Sequence, residues 1–254
     1  MSQDPLPPWP PDEFTEQLRA VGRGHYHDKH PFHRLMNEGR LDRGQLQLWA
    51  ANRFYYQKNI PIKDALLLAR CPLRQVRCRW VQRILDHDGT ATDPGGIEKW
   101  LRLGEAVGLS REDLESERLL LPGVRFAVDA YVNFVATRPW IEGVASSLTE
   151  LFAPALMTTR LAAFEKHYTW IDLAALEYFR SRPSLAARDS AHGLELVLSH
   201  CRSRPEQERA VAASSATCCV PSSMPCTIIA VVWDPDRQIC RRGAARHEGC
   251  SRVG

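Results

Sequence analysis

The sequence predicts an all-α protein built as one compact helical bundle of a single domain, and three observations predict it. Apolar residues recur at three- and four-residue intervals from Phe14 to about residue 200, no convincing period-2 strand interrupts them, and the connections are too short to separate domains. With 44% hydrophobic and 25% charged residues, a 254-residue chain can bury a real core. No internal repeat is found.

After an extended Pro-rich N-terminus over residues 1–11, Asp12 is a candidate N-cap for a helix carrying Phe14, Leu18 and Val21 and ending near "GRG". A short second helix can start at Pro31, a residue favoured at the first helical position, and stop at Gly39. From Asp42 to Ile60, Leu46, Trp49 and Ala50 share a face, and the pattern resumes after Pro61, which predicts one long helix bent there or two joined. "LRQVRCRWVQRILDHD" aligns Val76, Trp80, Ile84 and His87, and ends at Gly89. Further helices are expected over Ile97–Val107, from Ser110 onward behind a Ser-x-x-Asp capping signal, and over Val124–Thr137, Ile141–Phe152 and Pro154–His167. The last, Asp172–His200, should break near Pro183.

Composition bounds the function classes. The net charge is only +3 and the 28 arginines and five lysines are scattered, which argues against a nucleic-acid partner. The N-terminus has neither a basic nor an apolar leader region, and no run of about 18 apolar residues occurs, so a soluble cytoplasmic protein without a membrane partner is expected.

The stretch "GHYHDKHPFH" at 24–33 packs four of the nine histidines into ten residues. A metal site over His27, His30 and His33 is disfavoured, because no partner Glu or His follows at ligand spacing. Arg53, Gln57 and Asp64 fall on one stripe, a pattern that suits a solvated face as well as a pocket wall. Arg83 lies one turn before His87 beside Trp80 and Ile84, and taken alone His87 reads as a hydrogen-bonded structural histidine.

The last 54 residues differ in kind. Leu occurs 28 times up to residue 200 and never afterwards, while six of the eight cysteines crowd there without zinc-site spacing. Reading the same bases one nucleotide earlier turns Thr217-Cys218-Cys219 into Asp/Asn/His/Tyr, then Leu/Val/Met, then Leu. By the same rule Met224-Pro225-Cys226-Thr227 regains Ala, a Met/Leu/Val and an aromatic or His. Residues 204–254 therefore read as a frameshifted, poorly ordered tail, the shift being natural or a sequencing error, and residues 12–203 as the helical domain, which the resemblance described next implies is catalytic.

Five segments carry a resemblance: "HYHDKHPFH" (25–33), "WAANRFYYQKNIPIKDA" (49–65), "WVQRILDHDG" (80–89), "LPGVRFAVDAYVNF" (121–134) and "SSLTELFAP" (146–154), with "EYFRSR" at 177–182. In order and spacing they resemble the pyrroloquinoline-quinone synthase family, over roughly residues 12–203. The resemblance implies a seven-helix, haem-oxygenase-like or thiaminase-II-like bundle that forms a homodimer. It implies the closing step of that quinone's biosynthesis: ring closure and multi-electron oxidation of a small carboxylate-bearing bicyclic quinone precursor. Molecular oxygen would be the co-substrate and hydrogen peroxide a product, with no metal and no organic cofactor.

Matched residue by residue, the resemblance implies catalytic roles for Tyr26, His27, His87 and Tyr178. It implies substrate contact for Arg53, Tyr56, Gln57, Lys63, Arg83, Tyr131, Thr149, Glu150, Arg160 and Arg182, with Arg53 as a carboxylate clamp. Such chemistry needs cations for carboxylates, bases for carbon-bound protons and a water-poor pocket. His25, Lys29 and His33 are left as polar residues around a loop and helix start. Two departures stand out: Met157 occupies a position where the family commonly has histidine, and the family's lysine on its last helix falls near Thr217, with no lysine after Lys166. Met can fill the space of histidine but cannot transfer a proton at neutral pH. As written, the chain is expected to be poorly folded or inactive.

Overall fold

A computed structural model describes residues 6–217, with the exception of a few side chains noted below. Among the described residues eleven α-helices form and no strand: α1 (Pro11–His25), α2 (Pro31–Asn37), α3 (Arg43–Arg70), α4 (Arg74–Asp88), α5 (Gly95–Ala106), α6 (Arg111–Glu115), α7 (Pro122–Thr137), α8 (Trp140–Ser146), α9 (Ala153–His167), α10 (Glu177–His200) and α11 (Arg204–Thr217). The count exceeds the seven expected because short segments such as α2, α6 and α8 stand as separate helices. The all-α, single-bundle architecture holds.

Local chemistry sets the boundaries. Asp42 caps α3 with a full capping box: its carboxylate accepts from the Gln45 N–H at 2.8 Å while the Gln45 side chain accepts from the Asp42 N–H at 2.9 Å. Ser110 and Asp113 do the same for α6. The first helix starts at Pro11 rather than behind Asp12, with Pro10 at the cap position. Helix α3 runs through Pro61 as one long helix, the first of the two expected forms, whereas the break expected near Pro183 is absent and α10 continues through it. Each proline withholds one N–H, and packing along the rest of a long helix outweighs that loss. The span Ile141–Phe152 instead divides, α8 giving way to a 3-10 segment at Ser147–Phe152.

Helix α3 is the axis, packed by α4, α5 and α7. Its two ends enter different apolar clusters. Trp49 meets Trp100 (5.2 Å between ring centroids), Trp100 meets Tyr178 (4.9 Å) and Phe164 meets Phe179 (5.3 Å) in an aromatic cluster. Leu67 joins Phe14, Leu18, Trp80, Val144, Leu148 and Val197 in the other. Between the clusters, α3, α4 and α10 carry buried polar and charged residues: Gln57, Lys63 and Asp64; Arg83 and His87; Arg182 and Asp189. The charged layer thus lies between these two larger apolar clusters, and a smaller third one gathers Tyr55, Val124 and Val128 where α3 meets α7.

The bundle does not stop at residue 203. Helix α11 buries Gln207, Ala210, Ala213 and Ser214 and packs on α8 and α1, with Arg209 Nε 3.3 Å from Glu142 and Gln207 exchanging two hydrogen bonds with the backbone of Trp9. The small residues Ala and Ser suffice where α8 approaches closely, which is why a leucine-free segment can still pack. Residues 218–254, which the frameshift reading also covers, lie outside the described residues. Among the described residues no helix is long and apolar enough to cross a membrane.

Candidate active site

The charged layer is a single connected network. Arg83 on α4 is its hub: Nε lies 3.3 Å from Asp64 Oδ2, Nη1 2.6 Å from Glu150 Oε2, Nη2 3.1 Å from Glu150 Oε1, and Nη1 3.1 Å from Asp189 Oδ2. The contact to Asp189 is ionic without hydrogen-bond alignment. Arg182, on α10, donates to Glu150 Oε1 at 2.6 Å. Lys63 Nζ lies 2.7 Å from Asp64 Oδ1 and donates to Ser147 Oγ at 3.0 Å, and the Trp80 indole donates to Asp64 Oδ1 at 2.9 Å. Every charge in this layer has a partner of opposite sign, the condition under which buried charges are tolerated.

The electrostatics follow. Burial alone would raise the carboxyls of Asp64 and Glu150, but Arg83 with Lys63 holds Asp64 below the usual range and Arg83 with Arg182 holds Glu150 well below it. Burial wins at Asp189, whose carboxyl is raised, with the Glu150 charge adding to the effect. Arg83 stays charged because its three carboxylates outweigh burial.

His87 sits beside this layer. Its Nδ1 lies 2.8 Å from the Arg83 carbonyl, an acceptor only, so Nδ1 carries the proton. Nε2 is buried with no hydrogen-bond partner among the described residues. Burial, reinforced by the Arg182 charge, pushes the imidazole down to about 3. Tyr178, buried near by, takes a 2.8 Å hydrogen bond from Gln57 Nε2. The helix end that presents His87 is shaped by Gly89 and Gly95, both at positive φ; a Cβ on Gly95 would lie 2.6 Å from the His87 carbonyl oxygen.

A second group adjoins. The Arg53 guanidinium lies 4.2 Å over the Tyr56 ring, and Tyr26 packs on Phe152 at 5.3 Å. Burial raises the phenol of Tyr26, against the opposing charges of Arg53 and Arg160, and burial raises that of Tyr56 to about 12. Burial also raises Tyr131 to about 12; its ring faces Lys63 at 5.7 Å. Tyr56, Lys63 and Tyr131 line a narrow recess with Ile60, Val128 and Val132 that has no room for a water molecule.

The structure therefore brings Arg53, Tyr56, Gln57, Lys63, Arg83, His87, Tyr131, Glu150, Tyr178 and Arg182 into one region, with Tyr26 adjoining. Thr149 is half-buried next to Glu150. His27 opens a 3-10 turn at His27–Lys29, but its side chain, like that of His25, lies outside the described part. His30 caps α2, its Nδ1 accepting from the Phe32 N–H at 3.2 Å. His33 is not loop polarity: it is buried, and Arg160 Nη2 lies 2.7 Å from its Nδ1. Met157 is buried in the aromatic cluster. Sequence reading missed Asp189, Ser147 and the Trp80 indole; Asp189 lies seven residues, two turns, after Arg182, a spacing that could have flagged it. Among the described residues no three His, Cys, Asp or Glu side chains are placed to hold a metal ion.

These features define an all-α bundle enclosing a buried site of paired charges. The chain superposes on a heme oxygenase-like domain of unknown function from Shewanella denitrificans (TM-score 0.71, 13% identity, 92% of this chain and 96% of the other). It also superposes on a TenA homologue from Pseudomonas syringae (TM-score 0.66, 11% identity, 90% and 100%). Residues 15–220 match the TENA/THI-4/PQQC family, and the chain belongs to that family. Its relatives include a pyrroloquinoline-quinone synthase of Ectopseudomonas mendocina, 59% identical over 198 residues (78% of this chain, 79% of the relative). Another, from Pseudomonas putida strain W619, is 57% identical over 202 residues (80% of each).

Proposed function

We propose that this chain is an oxidoreductase of the pyrroloquinoline-quinone synthase type, performing ring closure and multi-electron oxidation of a carboxylate-bearing bicyclic quinone precursor. The observation that carries the reading is a buried layer of paired charges with a neutral histidine beside it, set within a stretch more than half identical to such synthases. In this reading Arg53, Arg83, Arg160 and Arg182 hold substrate carboxylates, while His87 Nε2 takes a carbon-bound proton. Each two-electron oxidation of the ring delivers two electrons and two protons to one oxygen molecule, giving one hydrogen peroxide. Tyr178 supplies a phenol to the reacting ring, and Tyr26 with His27 forms a second proton-transfer pair. The reaction uses no resident metal or organic cofactor, and the active species is a homodimer in the cytoplasm.

A second reading, a catalytically impaired remnant that binds the quinone, draws on Met157, buried where a proton-transferring histidine is expected from the family. Incubating the purified chain with precursor while following oxygen uptake and quinone absorbance separates the two. Turnover supports the synthase, and tight quinone binding without oxygen uptake supports the remnant. Under the synthase reading, His27→Asn should lower turnover about a hundredfold while changing quinone affinity no more than about threefold; equal losses in both would assign His27 to binding instead.

A further inference from the structure

The buried layer is already neutral by itself. Lys63, Arg83 and Arg182 supply three positive charges, and Asp64, Glu150 and Asp189 supply three negative ones. A site meant to receive carboxylates has here filled two of its buried guanidinium groups, those of Arg83 and Arg182, with a carboxylate of its own. Glu150 takes Arg83 in the two-pronged manner that an aryl carboxylate uses, and Arg182 from the side.

The three carboxylates are not held alike. Asp64 is fully buried on the continuous helix α3 and is fixed from two more sides by Trp80 and Lys63. Asp189 lies on α10 and is also gripped by Arg188 at 2.7 Å. Glu150 is the most exposed of the three, its side chain 15% accessible, and sits on the six-residue 3-10 segment between α8 and α9. Among the described residues its hydrogen bonds go to Arg83 and Arg182.

We propose that Glu150 is an exchangeable internal carboxylate, which a substrate carboxylate replaces on Arg83 and Arg182; this rests on the synthase reading above. Glu150 then sets specificity. Because it is tethered beside the two arginines, it competes at high effective concentration, and only the difference between its hold and the ligand's appears as affinity. Small monocarboxylates cannot displace it, whereas a rigid polycarboxylate anchored elsewhere, at Arg53, can. The pocket is thereby closed to common organic acids.

Glu150→Gln keeps the shape and removes the competing charge. Titrating pyrroloquinoline quinone against tryptophan fluorescence, the variant should bind about tenfold or more tightly than the unsubstituted chain. Benzoate should raise the melting temperature of the variant and leave that of the unsubstituted chain unchanged. Weaker or equal quinone binding by a folded variant, as expected if Glu150 contacts the substrate directly, would overturn the proposal. If the variant does not fold, Glu150→Asp reads the same question, since a shorter carboxylate holds less well: tighter binding supports exchange and weaker binding overturns it. Failure of the unsubstituted chain to bind the quinone at all would instead count against the synthase reading, while the benzoate comparison still decides the exchange.

Discussion

At the residue scale, the tautomer of His87 is set by its own helix. The Arg83 carbonyl fixes the proton on Nδ1 and leaves the Nε2 lone pair facing the interior. With the imidazole pushed down to about 3, it is neutral across the physiological range. The acid limb of kcat/KM should therefore not be centred near the ordinary histidine value of about 6.5. His87→Asn should reduce kcat by about a hundredfold or more with quinone affinity little changed, and parallel pH–rate profiles check it: a limb near 6.5 that vanishes in the variant contradicts the assignment. The pairing of Arg83 with His87 is legible from their four-residue spacing alone. The pairing of Arg83 with Asp189 is not, because it joins residues more than a hundred positions apart and exists only once α10 closes on α4.

At the element scale, prolines and glycines show where local rules yield. Proline at 183 predicts a break, yet α10 continues through it as α3 does through Pro61, since each is held along its length by buried neighbours. Such tertiary override cannot be read from one segment. Gly22 makes the converse point, a residue with no local signal that the packing nonetheless requires. It lies inside α1, where alanine would favour the helix by up to about 1 kcal/mol, yet a Cβ there would stand 1.9 Å from Phe152 Cε2. Phe152 ends the 3-10 segment that carries Glu150 and packs on Tyr26. Gly22→Ala should therefore destabilise by about 1–3 kcal/mol and lower kcat by shifting Glu150. Denaturant unfolding and a turnover assay together check this, and a more stable, fully active variant would refute it.

At the scale of the whole molecule, the all-α bundle was legible because helical periodicity persists for nearly 200 residues, whereas its extension through α11 was not, because Ala and Ser pack there in place of leucine. Restoring the reading frame from about codon 217 returns large apolar side chains to that end. Burying two of them is worth about 1.5–3 kcal/mol each, so the frame-restored chain should melt several degrees higher and turn over faster than the chain as given; identical melting would refute this. Acid sensitivity is set by the charged layer as a unit. Glu150 is held well below its unfolded value of about 4.3, so the stability it contributes is present above that pH and is lost as pH falls below it. His87 works higher up: the unfolded chain takes its proton near 6.5, while the folded chain refuses it until about 3, so folding weakens progressively across that window. Asp189, raised in the fold, acts in the opposite sense to both. Unfolding free energy should thus fall from pH 6 to pH 4 with a His87 contribution of about 1.4 kcal/mol per pH unit. Urea unfolding at pH 7, 6, 5 and 4 measures that slope. In His87→Asn the slope should be shallower by about one proton, and an unchanged slope would show that His87 is not held neutral by the fold.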